Sequence, residues 1–261
     1  MKEIRRRLQQ GETCLGLYVR IPCPDIVELA KGAGYDFVRL DCEHALMSLN
    51  EIRELLSAAR RVGMPCQIRI APELPLTALL GQEPAGIMAP HIESRQDAQR
   101  LVDACRFAPV GRRGMDGLSR MIRMGGMKRQ DYMEYEQENL DVIVQIESQA
   151  GLEHIDEILQ MPGVTMAATG RADLSQELGV SGHKDDPAVL KAERYIIERT
   201  LAAGKFPTIA VNSPGRMKEL YDLGVRCFLI GKDESLLTSA MAENRRAYRA
   251  AAKGTDIQVQ L

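Results

Sequence analysis

Ionisable side chains close several short apolar segments of this 261-residue chain. Asp41, Glu43 and His44 come together at the end of one segment, and Arg69 ends the next. The pKa of a histidine lies near neutral pH, so His44 can act as a general acid or base, with Asp41 or Glu43 orienting its ring. Arg69 can bind a carboxylate or stabilise the oxygen of an enolate. Each residue taken alone could also have a purely structural role, because His44 could be hydrogen-bonded to its own loop and Arg69 could form an ion pair.

Two acidic residues further along the chain suit a divalent cation. Gln145 and Glu147 lie two apart on a predicted strand, so their side chains face the same side, and Asp173 follows the next strand. Carboxylates at neighbouring strand ends can share Mg²⁺ or Mn²⁺ and leave positions for substrate oxygens and water. One such carboxylate alone could cap a helix or close a turn, so it is the pair that predicts a metal site.

Other polar positions give weaker signals. The loops Gly111–Gly114 and Gly170–Leu174 offer backbone N–H groups, and the first adds two arginines, so both are candidate anion sites. A Gly-Arg-Arg-Gly segment alone is more often a solvated turn. We expect a loop or interface role for His91, and exposed positions for His154 and His183.

The segments that must position these residues alternate between two periodicities. Short runs of branched apolar residues predict strands, and the longer stretches between them have the apolar spacing of helices. The predicted strands are Cys14–Val19, Asp36–Asp41, Cys66–Ile70, Gly86–Pro90, Val142–Glu147, Val164–Thr169, Pro207–Val211 and Cys227–Ile230. The predicted helices are Pro24–Gly32, Leu49–Val62, Arg95–Phe107, Gly151–Gln160, Pro187–Ala203, Pro214–Leu223 and Glu234–Ala251.

Strands that alternate with helices over about 250 residues predict an α/β fold, the (β/α)8 TIM barrel. Active sites of such barrels lie at the carboxyl ends of the strands, where most of the polar residues above fall. We expect one barrel domain over residues 1–261. We also expect an insertion at 108–140 that forms an active-site element or an oligomer contact, and a loose tail at 252–261.

Composition excludes several classes of function. Lys and Arg number 34 and Asp and Glu 36, so a net charge of -2 gives no general attraction to nucleic acid or acidic lipid. No segment approaches the roughly 20 apolar residues of a membrane span, and the charged start Met1–Arg7 does not predict a secretory signal. Six cysteines without a C-x-x-C pair indicate reduced thiols. We therefore expect a cytoplasmic enzyme of small molecules, without nucleic-acid or membrane partners.

Five motifs, taken in order, resemble the HpcH/HpaI aldolase family. They are Asp41–His44, Gln67–Arg69, Phe107–Gly114, Val142–Glu147 and Thr169–Gly179, within a resemblance that runs from about Gly16 to Leu237. The resemblance implies a class II, metal-dependent pyruvate aldolase of the phosphoenolpyruvate/pyruvate barrel superfamily, with Mg²⁺, Mn²⁺ or Co²⁺ as cofactor. It also implies a last helix swapped between the subunits of a homotrimer or homohexamer.

The resemblance further implies roles for individual residues. Glu147 and Asp173 would ligate the divalent ion, which holds the carboxylate and keto oxygen of a 2-oxo acid. Arg69 would stabilise the enolate, and His44 with Asp41 would form the acid–base pair. The residues implied in substrate binding are Arg69, Gln145, Gly170, Arg171, Ala172 and Ser175. The predicted reaction forms or cleaves a carbon–carbon bond of a 4-hydroxy-2-oxo acid, so its small-molecule partners are a 2-oxo acid (pyruvate) and an aldehyde.

Departures from the family pattern keep alternatives open. The family's Leu-Asp-x-Gly reads Leu80-Gly81-Gln82-Glu83 here, so the aspartate that a neighbouring subunit supplies to relay protons is missing. The family's Gly-Pro-Ala-Asp reads Gly170-Arg171-Ala172-Asp173, which adds a cation. A 2-oxo diacid decarboxylase of the oxaloacetate type needs no such relay. A citrate-lyase-like acyl-CoA lyase would have Arg112, Arg113 and Arg171 for the coenzyme tail. A binding protein without turnover is the remaining alternative.

Overall fold

The computed structural model describes residues 3–114 and 119–252, which form a closed barrel of parallel strands. The strands are β1 (Cys14–Val19), β2 (Phe37–Asp41), β3 (Cys66–Arg69), β4 (Gly86–Ala89), β5 (Asp141–Ile146), β6 (Met166–Thr169), β7 (Phe206–Ala210) and β8 (Cys227–Lys232). They pair in chain order, and β8 closes the barrel against β1. The predicted TIM barrel is confirmed, and each strand begins and ends within two residues of its predicted bounds.

Helices cover the outside and the amino end of the barrel. They are α1 (Ile4–Gln9), α2 (Pro24–Gly32), α3 (Leu49–Arg61), α4 (Leu76–Leu80), α5 (Arg95–Cys105), α6 (Arg120–Arg123), α7 (Arg129–Asn139), α8 (Gln149–Glu153), α9 (Ile155–Leu159), α10 (Arg171–Glu177), α11 (Pro187–Ala202), α12 (Pro214–Asp222) and α13 (Asp233–Ala252). Ser48, Ser94, Ser148 and Ser213 begin four of these helices, because each side chain accepts the N–H of the residue three positions on. These caps fix where the loops after β2, β4, β5 and β7 end.

The strands are buried along nearly their whole length, because helices cover the outer face and side chains fill the interior. Gly16 is required inside the barrel, since a Cβ at this position would overlap the ring of Phe37. The interior is therefore a packed core, and a substrate can enter only at an end of the barrel.

A polar network crosses this interior. The Arg39 guanidinium is fully buried and donates to Gln67 Oε1 at 2.7 Å and to Thr208 Oγ1 at 2.9 Å. Gln67 Nε2 in turn donates to Asp141 Oδ2 at 3.0 Å. Burial raises the pKa of Asp141. The network thus joins β2, β3, β5 and β7 through side chains alone.

Helix α1 closes the amino end of the barrel. Ile4 and Leu8 are buried and pack against interior residues such as Cys14 and Phe37. The sequence pattern does not predict this helix, because the three arginines Arg5–Arg7 conceal its short apolar face.

The insertion at 108–140 lies at the amino end as well. It follows α5, which leads from the carboxyl end of β4 back toward the amino end of β5, and its described part contains α6 and α7. Glu83, in the loop before β4, accepts the N–H of Met121 at 3.0 Å. The described part of the insertion therefore lies away from the carboxyl ends of the strands of its own barrel, and its role as an active-site element or an oligomer contact stays a prediction. Residues 115–118 lie outside the described ranges.

The anion site expected at Gly111–Gly114 is corrected by this placement. The Arg113 side chain is 7% exposed, lies 2.7 Å from Glu136 Oε2 and stacks on the Phe107 ring at 4.7 Å. Arg112 is exposed and lies 3.5 Å from Asp103 Oδ2. Both arginines sit away from the carboxyl ends of the strands, so neither is placed to hold a coenzyme tail there.

Helix α13 follows β8 without a loop and is exposed along most of its length. Its exposed apolar residues include Leu236, Leu237, Met241 and Tyr248. Of the tail expected at 252–261, only Ala252 is described, and it still belongs to α13. The swap of this helix between subunits stays a prediction. In the described ranges, every helix is too short or too polar to cross a membrane.

Candidate active site

A cavity of about 280 Å³ opens at the carboxyl end of the barrel, here called the mouth. Most of the predicted site residues line it, namely Asp41, His44, Arg69, Gln145, Gly170, Arg171, Ala172 and Asp173. Ligand pockets span roughly 300–1,000 Å³, so this one suits a small substrate. The barrel therefore brings residues that are far apart in the sequence together at the carboxyl ends of its strands, where the sites of TIM barrels lie.

Asp41 anchors one side of the mouth. Its Oδ1 accepts bonds from Arg69 Nε at 3.0 Å and Nη2 at 2.7 Å, and its side chain is 1% exposed. Burial acts to lower the pKa of Arg69, but the Tyr18 hydroxyl and the carboxylates of Asp41 and Glu43 outweigh it and raise that pKa. The guanidinium is thus a permanent cation in a fixed plane, as an anion-stabilising group should be.

Asp41 contacts the backbone of His44 rather than its ring. Asp41 Oδ1 accepts the His44 N–H at 3.2 Å, whereas a carboxylate oxygen of Glu43, Oε2, lies 3.6 Å from Nε2 of the ring. The His44 side chain is 49% exposed at the cavity. It can therefore exchange protons with a substrate or water, and Glu43 is the acidic neighbour of its ring.

Arg20 links this side of the mouth to α13. Its Nη2 donates to the His44 carbonyl at 2.7 Å, and its Nε lies 3.3 Å from Asp41 Oδ2. The Asp233 carboxylate accepts the N–H groups of Arg20 at 3.0 Å and Ile21 at 2.9 Å. The first residue of α13 therefore holds the loop that supports Asp41.

His91 and Glu43 take a larger part in this site than the sequence predicts, namely a loop or interface role for His91 and a supporting role beside His44 for Glu43. His91 Nδ1 lies 3.2 Å from Glu147 Oε1, and Nε2 lies 3.2 Å from Glu43 Oε1. The His91 N–H also donates to Glu147 Oε1 at 2.8 Å, with φ at 53°, a left-handed backbone that is uncommon outside glycine. Strained backbone of this kind concentrates at functional sites. In the sequence, the signal for this role of His91 is its position directly after a predicted strand.

Glu147 is a buried carboxylate at the end of β5. Burial raises its pKa and the nearby Asp173 carboxylate adds to this, while bonds from His91 N–H and the Gln145 amide oppose it. Gln145 Nε2 contacts Glu147 Oε2, as expected for residues two apart on one strand. The space beside Glu147 exists because residue 170 is glycine: a Cβ on Gly170 would lie 2.9 Å from Glu147 Cβ.

These residues fit a divalent cation. Glu43, His91 and Glu147 each offer a ligand atom, and the three atoms lie within 4.8 Å of one another. Glu43 Oε2 is buried without a hydrogen-bond donor in the described ranges; Arg69 Nη1 lies 2.9 Å away, outside hydrogen-bond geometry. Asp173 adds a further negative charge close to Glu147. Carboxylates gathered in this way are stable when a cation is shared among them.

Two residues implied in substrate binding are engaged elsewhere. Arg171 Nη1 lies 2.7 Å from Asp185 Oδ1 and its Nε 3.4 Å from Glu193 Oε1. Arg171 still lines the cavity, but these acids offset its charge. Ser175 is fully buried, and its hydroxyl donates to the Ala172 carbonyl at 2.6 Å. Ser175 thus packs within α10 rather than on the cavity wall, which corrects its expected contact with substrate.

The fold and site define a TIM barrel whose mouth combines a fixed arginine, a histidine and a carboxylate cluster suited to a divalent cation. The family model described as HpcH/HpaI aldolase/citrate lyase matches residues 15–239. The chain belongs to this family, so the resemblance seen in the sequence motifs is confirmed.

Individual relatives agree with this assignment. A hydroxypyruvate/pyruvate aldolase of Pseudomonas aeruginosa is 32% identical over 249 residues, which cover 93% of this chain and 91% of that protein. A 2-keto-3-deoxy-L-rhamnonate aldolase of Escherichia coli K12 is 27% identical over 257 residues, covering 97% and 96%. With aldolases matched over nearly the full chain, the protein is a carbon–carbon lyase.

Solved structures show the same architecture. The citrate synthase SbnG superposes with a TM-score of 0.88 at 26% identity, covering 97% of this chain and all of that chain. The HpcH/HpaI aldolase from Desulfitobacterium hafniense DCB-2 superposes with a TM-score of 0.88 at 25% identity, covering 94% and 96%.

Proposed function

We propose that the protein is a metal-dependent class II aldolase that forms or cleaves the C3–C4 bond of a 4-hydroxy-2-oxo acid. The observation that carries the proposal is the gathering of Glu43, His91 and Glu147 next to the fixed Arg69 guanidinium. Breaking this bond leaves negative charge on the oxygen of a pyruvate enolate. Positive charge that is already in place at that oxygen lowers the barrier, and here the Arg69 guanidinium and a bound cation would supply it.

Glu147 and Asp173 would hold the cation, with Gln145, Glu43 and His91 beside them. Hard oxygen ligands and an imidazole suit Mg²⁺, Mn²⁺ or Co²⁺. When bound, the cation supplies Lewis-acid polarisation of the 2-oxo acid's carbonyl group. The protein's part is to fix the ligand carboxylates, which the Gln145 contact and the space at Gly170 achieve.

Arg69 donates to the developing enolate oxygen. Asp41 holds two of its nitrogens, so the guanidinium does not have to reorganise as charge develops. Losing one such donor typically costs on the order of 10²–10³ in rate. The adjacent Tyr18 ring, 5.4 Å from the guanidinium carbon, supports the same orientation.

His44 moves the proton at the substrate hydroxyl. In cleavage, its ring takes the proton of the C4 hydroxyl, the C3–C4 bond breaks, and an aldehyde leaves. The electron pair of that bond forms the enolate, whose C3 then takes a proton to give pyruvate. The exposed ring of His44 and its neighbour Glu43 suit this exchange.

The test combines metal binding with a partial reaction. Glu147→Gln and Asp173→Asn are expected to abolish Mn²⁺ binding by calorimetry and pyruvate release from 4-hydroxy-2-oxo acids. Arg69→Lys should retain Mn²⁺ but slow exchange of the pyruvate methyl protons with D₂O by about 10²-fold. Glu153→Gln, at an exposed position of α8, is the matched control and should behave as wild type. Full activity in metal-stripped Glu147→Gln protein would refute the proposal.

A decarboxylase of an oxaloacetate-type 2-oxo diacid is the second candidate. Gly81 favours it, because this position carries no carboxylate for a proton relay and the nearby Glu83 is bonded to Met121. Decarboxylation would form the same enolate by loss of CO₂. Measuring CO₂ and aldehyde release from matched oxo acids separates the two, and CO₂ release alone would favour the decarboxylase.

We also infer a cytoplasmic homo-oligomer, a trimer or hexamer. The exposed apolar side chains of α13, including Met241 and Tyr248, suit a contact with a neighbouring subunit. All six cysteines are free, which agrees with a reducing compartment. Light scattering of the wild type and of Met241→Glu tests the assembly, and a wild-type monomer would refute it.

A further inference from the structure

The mouth carries a second group of charges that the proposed mechanism does not use. Lys184 and Lys232 line the same cavity as His44 and Arg69. We propose that these two lysines form a subsite for an anionic group on the second substrate. The aldehyde partner would then carry a carboxylate or a phosphate away from its carbonyl group. This inference rests on the proposed aldolase function and names the class of aldehyde.

An irregularity in β8 turns Lys232 toward the mouth. Gly16 of β1 pairs with Leu229 of β8, but the next paired residues are Tyr18 and Lys232. Two steps along β1 therefore match three steps along β8, so β8 contains one extra residue. Residues paired on neighbouring strands face the same side, and the Tyr18 ring faces the interior beneath Arg69. Without the extra residue, the alternation of the strand would point Lys232 outward.

Both lysines keep their charge available for a ligand. Across residues 3–114 and 119–252, no carboxylate oxygen lies within 4.0 Å of either ammonium group. The arginines of the mouth differ: Asp41 holds Arg69, and Asp185 and Glu193 hold Arg171. An unpaired ammonium at a cavity wall attracts an anion, and a lysine binds it as a point charge without a fixed geometry.

The position of Lys232 suits a contact with the aldehyde rather than with pyruvate. Around the barrel, Glu147 and Asp173 follow β5 and β6, whereas Lys232 ends β8, next to β1 and two strands from His44. The 2-oxo acid occupies the carboxylate side in the proposed function. The group beyond the new bond then extends past His44 toward Lys232, within a cavity of about 280 Å³.

The lysines do not take part in bond making. In the addition direction, C3 of the enolate attacks the aldehyde carbon, the C3–C4 bond forms, and the carbonyl oxygen takes the proton held at His44. The anionic group remains unchanged at Lys184 and Lys232. These are therefore specificity-determining residues, and their removal should act on discrimination between aldehydes.

The experiment measures kcat/KM for addition of pyruvate to matched aldehydes. Succinic semialdehyde is compared with butanal for a carboxylate, and glyceraldehyde 3-phosphate with glyceraldehyde for a phosphate. We expect the wild type to prefer one charged member by at least about tenfold, and Lys184→Met and Lys232→Met each to reduce that preference by roughly tenfold, mainly through KM. Lys232→Arg should restore most of it, and Lys191→Met, on the exposed face of α11, should leave it unchanged.

The outcomes separate this inference from the proposed function. A wild type that exchanges pyruvate methyl protons but shows no preference for either charged aldehyde would overturn the subsite alone. A preference that survives the Lys184→Met/Lys232→Met double variant, folded by circular dichroism, would overturn it as well. Absence of methyl-proton exchange in metal-loaded wild type would instead contradict the proposed function.

Discussion

The substitution Gly170→Ala tests how tightly the carboxylate cluster is packed. Gly170 has φ −112° and ψ 83°, without the positive φ that would itself disfavour alanine, so the effect comes mainly from the added methyl group. That methyl would lie 2.9 Å from Glu147 Cβ, closer still to Glu147 Oε2, and 3.2 Å from Gln145 Nε2. Glu147 must therefore move.

The size of the effect follows from the overlap. Non-bonded carbon atoms pack at about 3.5–4.0 Å, so Glu147 has to shift by roughly 0.6–1 Å. A misplacement of about 1 Å in a catalytic arrangement can cost on the order of 10²-fold in rate. We expect kcat/KM to fall by about that factor, equivalent to about 2.7 kcal/mol of transition-state stabilisation, and Mn²⁺ affinity to fall with it.

The assay follows pyruvate release from a 4-hydroxy-2-oxo acid with lactate dehydrogenase, and Mn²⁺ binding by calorimetry. Gly215→Ala is the matched control, because an added Cβ there meets no atom within 4 Å. It lies in α12 and should keep activity while stabilising the fold by roughly 0.5–1 kcal/mol. Wild-type kcat/KM and Mn²⁺ affinity in Gly170→Ala would refute the reasoning.

Three further predictions concern the rest of the molecule. Iodoacetamide should rapidly modify only Cys23 of the six cysteines in the native protein, because burial shields the other five thiols and raises their pKa values. Mass spectrometry measures the labelling, and rapid modification of two or more cysteines would contradict this prediction. Asp233→Ala should lower the free energy of unfolding in urea by roughly 1–3 kcal/mol, because partly buried N–H groups lose their acceptor, whereas exposed Asp222→Ala should have little effect. Burial raises the pKa of Tyr132 to about 12, against about 10 in an unfolded chain. The unfolded state therefore ionises first, and the wild type should lose stability as the pH rises from about 10 toward 12. The Tyr132→Phe variant should lack that loss of stability. Equal decreases in Tm for the wild type and the variant between pH 9 and about 11.5 would contradict this prediction.

Much of the barrel and its site follows from sequence rules with a clear physical basis. Strands buried on both faces appear as short apolar runs, and their carboxyl ends point to Asp41, Arg69, Gln145 and Glu147. The location of the insertion was also open to deduction, since a segment between a helix and the next strand returns to the amino end. The length of the insertion alone does not indicate at which end of the barrel it lies.

Other features depend on geometry that no local pattern contains. His91 needs a left-handed backbone to reach Glu147, and a histidine in a loop gives no sign of this. Lys232 faces the mouth because of one extra residue in β8, visible only from the pairing with β1. Ser175 lies in a matching motif, yet the hydrogen bond to Ala172 turns its hydroxyl inward.

The buried network around Arg39 has a consequence for recombining this barrel with its relatives. Arg39, Gln67, Asp141 and Thr208 come from four strands spread over most of the chain. A crossover between β2 and β3 would separate Arg39 from Gln67 unless both parents carry the same pair. The guanidinium would then lack its main acceptor in the core, at a cost of roughly 1–3 kcal/mol or more. Chimeras of this fold should therefore inherit the four residues as one unit, wherever the exchanged segments begin and end.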